Sequence, residues 1–123
     1  MIIYTNSRRL VPEQFAGRAI GPVAFILKKY RDDTGLRAHE QKHIDDFKAA
    51  PWKTFWSWLR GDKKWKLRSE VRAFAVQCLD ESKPISVYKA AAFIATRYGL
   101  DIFEQDAYLL LAQQIGKIER GLA

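Results

Sequence analysis

Apolar residues in the first thirty positions fall in short runs, and from Thr34 onward they recur with a period close to one helical turn. Ile2 to Thr5 is a short β-type run. Val23 to Tyr30 is a second, opened by Gly21-Pro22 and closed by the polar stretch Arg31-Asp32-Asp33. Between them, Val11-Pro12-Glu13-Gln14-Phe15 is compatible with the start of a helical turn, an assignment the pattern leaves open.

The helical part divides into five segments. A first helix is expected from about Gly35 to Ala49, with Asp33 or Thr34 able to cap its exposed N–H groups. Pro51 suits the first turn of a second, and Gly61 would end it. A third spans roughly Lys66 to Asp80, with Leu67, Val71, Phe74 and Cys78 on one stripe. Ser86 opens a fourth that turns Ala91, Ile94 and Tyr98 inward and stops at Gly99. Asp101 and Glu104 have capping-box spacing at the start of the last, where Phe103, Ala107, Leu110, Leu111 and Ile118 face in. Strands first and helices afterwards predict an α+β fold rather than alternating βαβ units.

Composition narrows this picture. A chain of 123 residues is one domain by length, covering 1–123, and 48% apolar residues exclude a disordered chain. Cys78 is the only cysteine, which excludes an intrachain disulfide and a cysteine-based zinc cluster, and its apolar stripe makes it a core residue. The N-terminal apolar run is too short for a signal peptide, and no stretch approaches the ~18–20 apolar residues that span a bilayer. The expectation is a cytoplasmic protein. Net charge is +7, and residues 51–72 supply +5 of it, seven basic side chains against Asp62 and Glu70. Such a balance favours anionic partners or surfaces.

The chemistry concentrates in Arg37-Ala38-His39-Glu40-Gln41-Lys42-His43, which contains the only two histidines, arranged as H-E-x-x-H. On a helix, residues four apart advance about 400°, so both imidazoles project from one face and can reach one Zn²⁺ at ~2.0–2.1 Å. Glu40 lies about 100° further round. It is placed to act as general base toward a water whose pKa the metal lowers to ~7.

A catalytic tetrahedral site needs a third protein ligand, and a carboxylate must supply it. Glu70 is the expected third ligand. It borders the apolar stripe of the third helix, one turn from Leu67 and Phe74, where an unpaired carboxylate is costly. The small Ala73 allows that helix to approach the metal helix. A surface glutamate paired with Lys66, Arg68 or Arg72 is the competing account. Asp46, three residues after His43, is the rival ligand. Sharing a helix with both histidines suits it better to a partner of an imidazole N–H, or to a solvated Asp45-Asp46 pair.

The pattern resembles the gluzincin branch of the zincin metallopeptidases, with HExxH on one helix and a ligand glutamate on a following one. The resemblance covers about Thr34 to Gln77. It implies a zincin-like fold, Zn²⁺ as cofactor, His39, His43 and Glu70 as ligands, Glu40 as general base, and a peptide or protein substrate. Two departures stand out: the 26 residues between His43 and Glu70 differ from the commoner spacing, and Phe74 stands where an aspartate often follows the ligand glutamate. The metzincin variant fits worse, because its glycine and third ligand would fall on Asp46 and Ala49. The family also implies a Tyr, His or Arg that steadies the developing oxyanion. Tyr88, Tyr98 or a nearby arginine could serve, and the sequence does not choose among them.

All four tryptophans, Trp52, Trp56, Trp58 and Trp65, lie between His43 and Glu70 among the basic residues. They could wedge the second helix against the core, line a substrate groove, or mark contact with nucleic acid or an anionic membrane. Two functions are therefore expected from the sequence. One is a zinc-dependent metallopeptidase. The alternative is a non-catalytic, metal-containing binding module that docks nucleic acid or a protein partner through the segment from Trp52 to Arg72.

Overall fold

The computed structural model of the chain describes residues 1–122. Three short strands, β1 (Ile2–Thr5), β2 (Gly17–Ile20) and β3 (Val23–Leu27), precede five helices, α1 (Thr34–Ala49), α2 (Pro51–Leu59), α3 (Lys63–Cys78), α4 (Val87–Arg97) and α5 (Glu104–Glu119). The class is α+β, as the order of periodicities predicts.

The sheet has the order β1-β3-β2, with β1 parallel and β2 antiparallel to the central strand. Ala24 and Ile26 on β3 are fully buried. The strand expected over Val23–Tyr30 stops at Leu27, where pairing with β1 ends opposite Thr5, and Lys28–Tyr30 turn instead into a single exposed 3₁₀ turn. β2 has no counterpart in the sequence reading, because Gly-Arg-Ala-Ile carries little β-type character. Its signal is Gly21-Pro22, which opens β3 and also closes β2 as a two-residue hairpin connection, with Gly21 at φ +60. Val11–Phe15 forms no helix. The Phe15 amide donates to Pro12 O at 2.9 Å in a turn, and Val11 is fully buried.

Local capping explains most helix boundaries. Asp33 accepts from the Leu36 amide and starts α1, while the Thr34 hydroxyl donates to Asp80 at 2.6 Å. Asp62 accepts from the Trp65 amide, so α3 begins three residues before the expected Lys66. Ser86 caps α4 through the Lys89 amide. Gly61 and Gly99, expected as helix stops, both have left-handed backbones. The capping box at Asp101 does not form: Asp101 pairs with Lys63, and Phe103 becomes the N-cap residue, 77% exposed instead of in the core.

α1 lies between the sheet and α3. Ile44 on α1 and Ile26 on β3 are both fully buried; beyond them, α3, α4 and α5 enclose Val71, Phe74, Ala91, Ile94 and Leu111. Cys78 packs at the margin of this cluster, and burial pushes its thiol up to about 11, consistent with an inert core residue. α2 buries only Ser57; Trp52, Trp56 and Trp58 are exposed, which rules out wedging those three into the core. No helix among the described residues is long and apolar enough to cross a membrane.

The first turn of α1 is held against the loop after α3. Asp80 gathers the Thr34 hydroxyl and the amides of Ser82 and Lys83. A Cβ at Gly35 would collide with the carbonyl oxygen of Lys83. Gly35→Ala must displace that backbone and is expected to cost at least ~1–3 kcal/mol in chemical unfolding. Gly116→Ala, where a Cβ would meet only the flexible end of Arg120, should cost far less.

Candidate metal centre

α1 presents His39, Glu40 and His43 from the middle of the fold, and α3 presents Ser69 and Glu70 opposite them. The i,i+4 spacing stacks the two imidazoles on one face, with ring centroids 5.0 Å apart. His39 Nε2 lies 3.4 Å from Glu70 Oε1, and His43 Nε2 lies 3.1 Å from Glu70 Oε2. One donor atom from each residue falls within 4.8 Å of the others. The three residues can hold a metal ion, and Glu70 is no surface glutamate: its side chain is 2% exposed.

The donor set fits a borderline divalent cation. Tetrahedral ligands at ~2.0–2.1 Å stand ~3.3–3.4 Å from one another, close to the separations observed. The His43 Nδ1 lies 3.1 Å from Ser69 Oγ; a proton on Nδ1 donated to that hydroxyl leaves Nε2 as a lone pair facing the site. The buried polar atoms without a hydrogen-bond partner among the described residues are His39 Nδ1, Glu40 Oε2 and Glu70 Oε1, and all three belong to this cluster. Leaving such atoms unmatched costs about 1–3 kcal/mol each. A cation among the ligands would satisfy Glu70 Oε1. The ring of His39 is fixed on its other side by the edge of Phe74, with centroids 4.4 Å apart. Phe74, the departure from the gluzincin pattern, thus packs against a ligand instead of hydrogen-bonding to one.

Electrostatics divide the two glutamates. Burial works against ionising Glu70, but His43, His39 and Lys66 outweigh it and hold the carboxyl well below its ordinary range. Lys66 Nζ approaches Glu70 Oε2 at 3.3 Å from one turn earlier on α3. At Glu40 the balance goes the other way, with burial outweighing His39 and Lys66. Burial pushes its carboxyl up to about 7, with His39 opposing and the charge of Glu70 adding to the rise.

Asp46, the rival ligand, is taken up elsewhere. Its Oδ2 accepts from Arg72 Nε at 2.9 Å, and Lys42 lies 3.4 Å from Oδ1. Asp45 accepts from Gln41 on the exposed face. Of the three oxyanion candidates, Tyr88 is 71% exposed and stacks on Tyr108, away from the site. Tyr98, at the end of α4, borders the centre between Phe15 and Phe74. Burial, then the charges of Glu70 and Glu40, raise its hydroxyl far above the ordinary tyrosine range, so it stays a proton donor. Arg97 is also near, with its guanidinium over Phe93 and a hydrogen bond to Gln14 O.

A cleft of about 720 Å³ opens over the cluster. One wall is β2 and its turn; the other carries Phe55, Trp58 and Trp65. A Cβ at Gly17 would lie 3.2 Å from both Glu40 Oε1 and Phe25 O, so the glycine lets Glu40 sit directly against the strand. Sequence reasoning missed Gly17 and Ser69. Ser69 was findable by asking which residue beside Glu70 could take the second nitrogen of a ligand histidine; the place of Gly17 required knowing that β2 exists. Comparison with known protein families, with curated proteins and with solved structures found no match.

Two outcomes follow from this geometry. Affinity for a divalent cation, with zinc as the probe in chelator competition, should fall by more than ~100-fold in His39→Ala, His43→Ala and Glu70→Gln. Asp46→Asn should leave it nearly unchanged; loss of metal in that variant instead of Glu70→Gln would reassign the third ligand. The second outcome concerns the metal-free protein. The Glu40 carboxyl holds its proton up to about 7 when folded and to 4.5 in an ordinary setting, so the unfolded chain binds fewer protons across that window. Stability associated with Glu40 is therefore present at low pH, lost as pH rises through the window, and level above it, by at most ~3 kcal/mol. Thermal unfolding of metal-free Glu40→Gln should lack this loss, so its Tm should exceed that of the wild type more at pH ~8 than at pH ~5.

Proposed function

We propose that this chain is a zinc-dependent hydrolase of peptide or related amide bonds, a minimal zincin-like enzyme of the gluzincin type with His39, His43 and Glu70 as ligands. The observation that carries the reading is Glu40. A carboxyl group 4% exposed, with an unpartnered oxygen, lies beside a three-donor metal site. A buried carboxyl oxygen left without a partner beside such a site suits a general base.

Bound zinc supplies Lewis-acid polarisation of the carbonyl and a lowered pKa for the attacking water. Glu40 accepts the proton of that water at Oε2 and delivers it to the leaving amine. The Tyr98 hydroxyl donates to the oxygen on which charge develops. Substrate is held by the outer edge of β2. Ile20 and Val23 close the hairpin, and the Leu27 amide donates to Ala16 O, so the pairs 20/23, 18/25 and 16/27 use their backbone groups within the sheet. Gly17 and Ala19 are left to direct theirs outward. An extended peptide can add there as a further strand, with its scissile bond over Glu40.

A second reading has one observation in its favour. The exposed tryptophans of α2 suit a docking module that uses the metal only for stability. Glu40→Gln separates the two. Zinc should remain at wild-type level, while hydrolysis of an unstructured peptide library falls by ~10² or more. Tyr98→Phe should lower kcat by ~10² with little change in KM. Zinc-loaded wild type that cleaves nothing in such a library, or a rate indifferent to Glu40→Gln, would reject the hydrolase.

A further inference from the structure

α2 is an amphipathic helix mounted with its apolar side outward. Trp52, Phe55, Trp56 and Leu59 stand at i, i+3, i+4 and i+7, the spacing that ordinarily faces a core. Here they are 76%, 44%, 55% and 56% exposed, and Trp58 beside them is 64% exposed. The side turned to the protein carries Thr54 and Ser57 instead. Five large apolar groups kept in water on one short helix require something to cover them.

We infer that α2 is an interfacial anchor that lies in the headgroup region of an anionic phospholipid bilayer. Charge selects this occupant. Lys53 and Arg60 flank the stripe on α2, and Lys48 and Lys64 stand on the adjoining ends of α1 and α3; all four are exposed, and none forms an ion pair among the described residues. Acidic groups nearby are engaged: Asp62 caps α3, and Asp101 is taken by Lys63. Against a second copy of this chain, these cations would meet their own kind. Against nucleic acid, the aromatics would need to line a charged groove, and this stripe stands on the outside of a helix. A fluid anionic surface accepts both features, apolar rings at the headgroup boundary and cations on phosphates. Tryptophan, with an apolar body and one N–H donor, is suited to that depth. Phe55 and Trp58 also line the cleft over the metal cluster, so a docked α2 would place the cleft mouth at the lipid surface. The inference does not depend on catalysis.

The test is flotation of the intact protein with vesicles of phosphatidylcholine alone or mixed with phosphatidylglycerol, and tryptophan emission with brominated lipids. Partition should favour the anionic vesicles by at least ~10-fold and weaken with salt. Emission should shift to the blue and be quenched by bromine within ~5–10 Å of the headgroup boundary. Trp52→Ala/Trp56→Ala and Lys53→Glu/Lys64→Glu should each reduce partition ~10-fold or more while zinc content and circular dichroism stay as in wild type. The brominated-lipid measurement on wild type stands even if a variant misfolds. The anchor is overturned by no partition into anionic vesicles, by partition without quenching, by preferential binding to a single-stranded oligonucleotide, or by lipid-free dimerisation that Trp52→Ala/Trp56→Ala abolishes.

Discussion

A carboxylate with 2% exposure sets the terms for the centre of this molecule. Glu70 can stay ionised only because two imidazoles and a lysine surround it. An isolated charge in such a place costs several kcal/mol even after relaxation. This requirement ties α3 to α1 at a fixed height, because Glu70 must face His39 and His43 together. Ser69 and Phe74 then steady the two rings from either side. The contact between α1 and α3 is thus as much electrostatic as apolar, and its polar part is left incomplete at buried oxygens of Glu40 and Glu70. These unmatched oxygens lie in the same cluster whose donor atoms could hold a metal ion.

α1 does two jobs with one helical repeat. Its His39 and His43 side meets Glu70 of α3, and Glu40, one turn before the fully buried Ile44, sits against β2 at Gly17. The small sheet matters for a related reason. β3 carries the buried apolar residues, which leaves β2 as an edge strand beside Glu40 with one side unpaired. Unpaired edges are usually blunted. Here the edge forms a wall of the cleft.

Energetically, α2 is the opposite of the centre. It buries one serine and exposes its aromatics, so its apolar groups contribute little to folding and much to whatever they meet. A helix of nine residues is marginal alone, and its stability rests on its junctions with α1 and α3. Ala50 alone separates it from α1, its non-helical backbone turning the chain while its amide donates to Asp46 O and Phe47 O, and the Asp62 amide bonds back to Ser57 O before α3 begins. The exposed stripe is therefore held on a short, doubly anchored segment.

Periodicity was enough to establish the α+β class, the five helices and most of their ends, because caps such as Asp33 and Ser86 and stops such as Gly61 and Gly99 act through their nearest neighbours. The pairing of His39 with His43 was equally local, since four residues on a helix fix both rings to one face. That Glu70 would join them was legible as a carboxylate in a costly position, though only packing of α3 on α1 brings it within 3.4 Å. What tertiary structure alone decided were choices among residues of the same type. Asp46 was drawn off by Arg72, Tyr98 was placed at the site and Tyr88 left outside it, and Asp101 was diverted from capping by Lys63. β2 and the outward face of α2 belong to the same group. A strand with Ile20 as its one β-type residue exists because β3 offers it backbone partners, and an apolar stripe faces water when the neighbouring helices have already filled the core. Local signals act through bonds a few residues apart, whereas these outcomes depend on which distant side chain arrives first within reach.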